Sequence, residues 1–240
     1  MKESYVFGPI LSRRLGKSLG VDVFPGKICN YDCIYCELGR TAKRCPAAGD
    51  CLPAATVVEA VKERLREIAQ PDHVTLYGPG EPTLHSHIGE IIGGIRKISK
   101  APVALLTNGS LFWMEEIRKA VLDVDLIIPS LDAGGEDTFR AVNRPLGDVT
   151  FERMVEGLVA LRRDFRGPIW LEVFLVDGFT AGEKEVRRIR QYIDLIKPDR
   201  IQLNTMDRPA AEPYVQAVSR QRLKEIAGLF GPACEVISRE

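Results

Sequence analysis

Three cysteines lie within eight residues near the start of the chain, in the segment Cys-Asn-Tyr-Asp-Cys-Ile-Tyr-Cys. They are Cys29, Cys33 and Cys36, with three residues between the first two and two between the last two. Cysteine thiolates are the usual protein ligands of iron–sulfur clusters. A cluster of four irons needs four ligands, so three cysteines leave one iron open, as in catalytic metal sites. The spacing therefore predicts an iron–sulfur site with an open iron.

Cysteine has two other common structural uses in proteins. Structural zinc takes four ligands, commonly in two C-x₂-C pairs, and Cys45, Cys51 and Cys234 do not supply the second pair. A disulfide framework is typical of small secreted domains, whereas this chain has 240 residues and only six cysteines. Both alternatives fit less well than a cluster.

Composition limits the class of protein. The 33 basic and 33 acidic residues give a formal net charge of zero. The chain therefore lacks the excess of basic residues that is typical of a nucleic-acid-binding domain, and we expect no DNA partner. No apolar run approaches the ~20 residues that cross a membrane. The first residues lack the apolar core of a signal peptide. We therefore expect a cytoplasmic protein without a membrane partner, in a reducing compartment where thiols persist.

Short apolar, β-branched runs alternate with stretches of 3.6-residue periodicity. The predicted strands are 21–24, 74–77, 103–107, 126–129, 169–176 and 200–204. The predicted helices begin at Thr56 and Thr150 as N-caps, with Glu59 completing a capping box for the first, and the others are 85–98, 114–121, 181–196 and 219–230. Six βα units in order predict an α/β fold, either a barrel or a doubly wound sheet.

The cysteine segment resembles the signature of the radical S-adenosylmethionine (radical SAM) superfamily, including the aromatic Tyr35 before the last cysteine. The resemblance implies a partial (β/α)6 TIM-like barrel with the cysteine loop after its first strand. It also implies a [4Fe–4S] cluster on the three cysteines, with the amino and carboxylate groups of S-adenosylmethionine on the open iron. We expect a single domain over 1–240, with 1–20 as an extension and 205–240 as a helix plus a short tail.

Further candidate residues follow the other predicted strands, where loops of parallel α/β folds converge. The segment Gly-Pro-Gly-Glu-Pro at 78–82 resembles the Gly-Gly-Glu-Pro segment of the family, which holds the methionine amino group, although Pro79 departs from the pattern. Glycines allow close backbone approach and Glu81 offers a negative partner for an ammonium group. The cofactor-binding residues that we predict are Tyr35, Gly78, Gly80, Glu81, Asn108, Ser130 and Asp132, the last two toward the ribose. Glu172 and Asn204 are weaker candidates inside the barrel.

The resemblance extends over nearly the whole chain. The segments 8–16, 130–133 and 143–145 are similar to a branch of radical SAM oxidoreductases that is related to the tRNA wyosine synthases. The remaining cysteines Cys45, Cys51 and Cys234 carry the hypothesis of an auxiliary cluster or a redox pair, with unrelated thiols as the alternative.

The resemblance implies that the reduced cluster donates one electron to S-adenosylmethionine. This releases methionine and a 5′-deoxyadenosyl radical, which abstracts hydrogen from a substrate. An RNA base or a small molecule is the expected substrate, with Arg13, Arg14 and Lys17 as phosphate contacts, and flavodoxin or ferredoxin as the reductant. Two other functions remain open: an iron–sulfur electron-transfer protein, and an activase that makes a glycyl radical on a partner protein.

Overall fold

The computed structural model describes residues 5–41 and 52–237. Within these ranges the strands are β1 (Val6–Ser12), β2 (Gly16–Val21), β3 (His73–Leu76), β4 (Val103–Thr107), β5 (Leu126–Pro129), β6 (Trp170–Phe174), β7 (Arg200–Asn204) and β8 (Cys234–Val236). The helices are α1 (Ala54–Glu67), α2 (Ile88–Ile98), α3 (Glu115–Ala120), α4 (Glu136–Val142), α5 (Phe151–Asp164), α6 (Glu183–Ile196) and α7 (Arg220–Phe230).

The strands follow one another around a curved parallel sheet. One sheet has the order β1-β2-β3-β4-β5 and the other has the order β6-β7-β8, with only β1 antiparallel to its neighbour. Single bridges at Ile127–Ile169 and Ser130–Glu172 connect β5 to β6. A doubly wound sheet reverses its strand order at a switch point, and this sheet does not. The predicted partial barrel is therefore confirmed.

The helices cover the outside of this sheet through apolar stripes. In α6 the buried side chains Val186, Ile189, Ile193 and Ile196 recur every three or four residues, so they share one face. The predicted N-cap at Thr150 is confirmed, because its side chain accepts a hydrogen bond from the backbone N–H of Arg153 at the start of α5. The strands that these helices cover are almost wholly apolar, as expected for a parallel sheet buried on both faces.

The start of the chain differs from the prediction. The first barrel strand is β2, which ends at Val21, and the apolar residues Val23 and Phe24 are buried in the loop that follows. An apolar run indicates burial but does not distinguish a strand from a buried loop, and for this reason the pattern predicts a strand at 21–24. Residues 1–20 were expected to be an extension, but their described part forms β1 and most of β2. The sequence pattern did not predict β1, because Gly8 and Pro9 interrupt it. The strand tolerates this proline because it lies at the edge of its sheet.

Three further features differ from the sequence-based expectation. Helix α1 begins at Ala54 after Pro53, two residues before the predicted cap Thr56, and Glu59 pairs with Lys62 instead of completing a capping box. Helix α4 was not predicted. Residues 205–240 contain α7 and then β8, which pairs with β7, so the expected tail is partly a strand whose partner only folding supplies.

The loop after β3 is joined to the loop after β2 by backbone pairing. The N–H of Ile28 donates to the carbonyl of Pro79 at 2.8 Å, and the N–H of Glu81 donates to the carbonyl of Ile28 at 2.9 Å. The two chains approach so closely that a Cβ on Gly80 would lie 1.7 Å from the Ile28 carbonyl oxygen. Ile28 directly precedes Cys29, so this contact fixes where the cysteine loop begins.

Within the described ranges, no helix is both long enough and apolar enough to cross a membrane.

Replacing Gly80 by Ala tests this contact. The methyl group would collide with the Ile28 carbonyl, which is backbone and cannot rotate away, so we expect destabilisation of roughly 1–3 kcal/mol or more. Urea unfolding measures the change, and iron content after anaerobic reconstitution measures the effect on the cysteine loop. Gly93→Ala in α2 is the matched control, because a Cβ there meets no atom within 4 Å. Equal stability of the two variants would contradict the close approach.

A second prediction concerns Asp22, a half-buried residue just after β2. Burial raises the pKa of its carboxyl to about 6, above the ordinary value of about 3.9. The folded chain therefore retains this proton to higher pH than the unfolded chain, and the associated stability is lost as pH rises from about 4 to 6. We expect the effect of Asp22→Asn on the free energy of unfolding to be about 1 kcal/mol more favourable at pH 8 than at pH 4. This value is smaller than the full pKa shift would give, because solvent screens a half-buried carboxyl. Unfolding at both pH values measures this, with the exposed Asp123→Asn as control.

Candidate active site

A cleft opens at the carboxyl ends of the parallel strands, where loops of such sheets meet. Its cavity volume is about 290 Å³. The residues that line it come from the turn between β1 and β2, from the loops after β2 and β3, and from β4 to β7 with the residues that follow them. They include Cys29, Cys33, Cys36, Tyr35, Gly78, Gly80, Glu81, Asn108 and Ser130. The structure therefore brings the three cysteines of the triplet together with all of the predicted cofactor-binding residues except Asp132.

The cysteine loop is held against the end of α4. The N–H of Asp32 donates to the carbonyl of Asn143 at 3.1 Å, and the N–H of Ile34 donates to the carbonyl of Val142 at 2.9 Å. The Ile34 side chain is fully buried in a small apolar cluster with Val142 and Phe174. These backbone and apolar contacts fix the central part of the loop that carries the three thiols.

Each of the three sulfur atoms receives a hydrogen bond from a side chain outside the cysteine triplet. The side-chain amide of Asn108 lies 3.8 Å from Cys29 Sγ, and the amide of Asn143 lies 3.6 Å from Cys33 Sγ. The ammonium group of Lys27 lies 3.2 Å from Cys36 Sγ. Sequence reasoning assigned neither Lys27 nor Asn143 to the site, since their contacts depend on the fold of the loop.

The chemistry of these thiols suits iron. Burial raises the pKa of Cys29 to about 12 and that of Cys33 well above its ordinary value, so a thiolate here needs a compensating cation. Metal binding supplies that charge and releases the protons. All cysteines in the described ranges are free of disulfides, and no three His, Cys, Asp or Glu side chains there converge on one ion. Three free thiols around one cleft are the donor set that three corners of a cluster require.

Glu81 is buried, and protein groups already hold much of its carboxylate. Its Oε1 accepts hydrogen bonds from Thr83 and from the Thr107 hydroxyl, and its Oε2 accepts one from the Asn108 N–H at 2.6 Å. Burial raises its pKa although these hydrogen bonds oppose that shift. The carboxylate thus connects the loop after β3 to the end of β4, and Oε2, which accepts one of these hydrogen bonds, keeps acceptor capacity.

Ser130 and Asp132, predicted to face one ribose, have different surroundings. Ser130 lines the cleft, whereas Asp132 is buried and does not line it. The Asp132 carboxylate accepts hydrogen bonds from Tyr35 Oη at 2.5 Å, from the Asn143 amide at 2.9 Å and from the Phe174 N–H at 2.9 Å. Asp132 therefore orients Tyr35 and Asn143, the second of which contacts Cys33.

The far end of the cleft holds an ion pair inside the barrel. Arg14, in the turn between β1 and β2, donates to Glu172 Oε2 at 2.7 Å, and Asn204 donates to Glu172 Oε1 at 3.1 Å. Both charged side chains are about 15% exposed, and the arginine lowers the pKa of Glu172 although burial opposes this. Arg13 also lines the cleft, whereas Lys17, predicted to join them, does not.

The auxiliary-cluster hypothesis concerns three other cysteines. Cys45 and Cys51 lie outside the described residues. Cys234 pairs with Ile201 near the amino end of β7, whereas the cleft is reached at Asn204. Asn204 lies three residues beyond Ile201 along β7, so about 10 Å of strand separates the position of Cys234 from the cleft.

Comparison with known proteins assigns the family. The pattern of the Radical SAM superfamily matches residues 23–190, which include the three cysteines and the segment 78–82. The UPF0026 protein of Methanocaldococcus jannaschii is 31% identical over 226 residues, covering 93% of this chain and 70% of that protein. The UPF0026 protein of Helicobacter pylori strain J99 is 36% identical over 209 residues, covering 86% of this chain and 67% of that protein.

One relative is much longer than this chain. A Brachyspira hyodysenteriae protein named GTPase Obg is 38% identical over 236 residues, which cover 98% of this chain and 35% of that protein. This chain therefore spans about a third of its length.

Solved structures share the fold. A radical SAM methyltransferase from Sphaerobacter thermophilus superposes with a TM-score of 0.69 at 16% identity, covering 92% of this chain and 66% of that one. Streptococcus suis SuiB bound to S-adenosylmethionine gives 0.68 at 12% identity, covering 92% of this chain and 50% of that one. The family match over most of the chain and the UPF0026 relatives confirm the resemblance carried by the cysteine segment: the chain belongs to the radical SAM superfamily and to the UPF0026 family.

Proposed function

We propose that this chain binds a [4Fe–4S] cluster through Cys29, Cys33 and Cys36, binds S-adenosylmethionine beside it, and acts as a radical SAM enzyme. One observation carries the proposal: the three thiols line the same cleft as Gly78, Glu81 and the ends of the following strands. When bound, the reduced cluster and S-adenosylmethionine supply a carbon radical that abstracts hydrogen from the substrate. The protein supplies binding, orientation and exclusion of water.

Specific groups of the chain fit the parts of S-adenosylmethionine. Gly78 and Gly80 expose backbone at the cleft, and Oε2 of Glu81 offers negative charge to the methionine ammonium group. Asn108 lines the cleft next to Glu81, and Ser130, which also lines it, offers a hydroxyl group to a ribose. We assign Asp132 a supporting role, because its carboxylate holds Tyr35 and Asn143.

The far end of the cleft favours a small polar substrate or a single base over a bulky apolar group. Arg14 offers donors and Glu172 offers acceptors there, and the two side chains neutralise one another. An external reductant such as flavodoxin or ferredoxin supplies the electron. Two other functions compete with the proposal, an electron-transfer protein that does not bind S-adenosylmethionine and an activase that acts on a partner protein.

Cys33→Ala tests the assignment. The wild-type chain, reconstituted anaerobically with iron and sulfide and reduced with dithionite, is expected to convert S-adenosylmethionine into 5′-deoxyadenosine. The variant loses one of three thiolate ligands, so we expect it to lose the cluster and this product. Product chromatography and iron analysis measure both effects. Product formation by the variant at the wild-type rate would refute the assignment.

Cys234→Ala is the matched control, because its thiol lies outside the cleft. About four irons per chain in both the wild type and this variant would leave no iron for an auxiliary cluster. A wild-type chain that holds the cluster but does not bind S-adenosylmethionine would favour the electron-transfer alternative. A specific protein recovered with the chain, and carrying a glycyl radical after the reaction, would favour the activase.

Ser130→Ala tests the proposed ribose contact. Loss of one hydrogen bond costs about 1 kcal/mol, so the dissociation constant for S-adenosylmethionine is expected to rise about fivefold. Equilibrium dialysis against the reconstituted protein measures it, at unchanged iron content. Thr150→Ala, a helix cap of α5, serves as the control for a lost hydroxyl. An unchanged dissociation constant in Ser130→Ala would remove Ser130 from the binding site.

A further inference from the structure

Lys27 brings a full positive charge to one of the three cluster ligands. Its ammonium group lies 3.2 Å from Cys36 Sγ and also donates to the carbonyl oxygen of Gly39. The side chain is half-buried and lines the cleft. It lies two residues before Cys29, outside the cysteine triplet, and neither the predicted cofactor contacts nor the proposed binding of S-adenosylmethionine uses it.

The loop holds this ammonium group in place. Two backbone hydrogen bonds tighten the chain around Cys36, from its own N–H to the Cys33 carbonyl at 3.1 Å and from the Gly39 N–H to the Cys36 carbonyl at 3.0 Å. Gly39 has φ of +74°, a conformation that favours glycine and turns its carbonyl toward Lys27. The ammonium group is held in one position because it donates to both the Cys36 sulfur and the Gly39 carbonyl oxygen.

The other two sulfurs receive neutral donors over longer distances. Asn108 and Asn143 approach Cys29 and Cys33 through side-chain amides at 3.8 Å and 3.6 Å. Hydrogen bonds to charged partners are shorter and stronger than those between neutral groups. Cys36 is therefore the ligand whose sulfur has the most positive surroundings.

A cation at this position acts differently on the two oxidation states of a cluster. When one electron passes from a reductant to the cluster, no bond forms or breaks, and the added negative charge spreads over the irons and their sulfur ligands. Nearby positive charge stabilises the reduced state more than the oxidised state, and hydrogen bonds to the sulfurs act in the same direction. Groups outside the ligand set tune metal sites in this way.

We propose that Lys27 is a positioning residue that raises the reduction potential of the cluster by holding its ammonium group against Cys36 Sγ. The proposal rests on the cluster assignment made above. It explains why a lysine lies at the cleft wall, where its charge faces a ligand instead of bulk solvent.

The test compares Lys27→Met, Lys27→Gln and Lys27→Arg with the wild type. Each protein is reconstituted anaerobically, checked for iron and sulfide content, and titrated with dithionite and redox mediators without S-adenosylmethionine. Electron paramagnetic resonance reports the reduced cluster. We expect Met and Gln to lower the equilibrium constant for reduction at least tenfold, about 59 mV for one electron, and Arg to retain most of the wild-type value.

Lys62→Met is the matched control, because Lys62 lies on α1, pairs with Glu59 and is absent from the cleft lining. Met and Gln variants with full iron content and the wild-type potential would overturn the proposal. Loss of the cluster in both would also overturn it, by showing that Lys27 is needed for assembly. A wild-type chain without the cluster signal would instead refute the proposed function itself, and this inference with it.

Discussion

The site depends on the backbone pairing of Ile28 with the segment that contains Gly80. Ile28 donates to one side of this segment and accepts from the other, and the missing Cβ of Gly80 allows the approach. Because Ile28 precedes the first cysteine and Gly80 precedes Glu81, the contact sets the cysteine loop beside the segment that we propose contacts S-adenosylmethionine. Pro79 departs from the family pattern but is compatible with this pairing, because only its carbonyl takes part and proline retains that group.

A second constraint is the burial of polar groups around this pairing. The Glu81 carboxylate is satisfied by the loop after β3 and the end of β4, and the Asp132 carboxylate is satisfied by Tyr35, Asn143 and the Phe174 N–H. Buried carboxylates without such partners would be costly. The first network reaches the cysteine loop through the contact of Asn108 with Cys29, and the second reaches it through Tyr35, so both carboxylates help to position that loop.

The cleft contains two chemically different ends. At one end lie thiols, amides and the Lys27 ammonium group, which suit a negatively charged metal cluster. At the other lies the Arg14–Glu172 pair, which offers donors and acceptors with no net charge. The turn that carries Arg14 belongs to the β1–β2 hairpin, so the N-terminal segment contributes to the site from the opposite end of the barrel.

The sequence by itself determined the family, the six βα units and the triplet of cysteines, because cysteine spacing and hydrophobic period are local properties. It also placed Gly80, Glu81, Asn108 and Ser130 at the cleft, since the carboxyl ends of parallel strands must converge. Tertiary structure decided which polar groups face the cleft and which are buried: Ser130 and Asp132 separate, although they alternate along the chain. Tertiary structure also decided the partners of Lys27 and Asn143, the pairing of the edge strands β1 and β8, and the presence of Arg14 in the cleft lining. Each of these depends on contacts between residues far apart in sequence or across a folded loop.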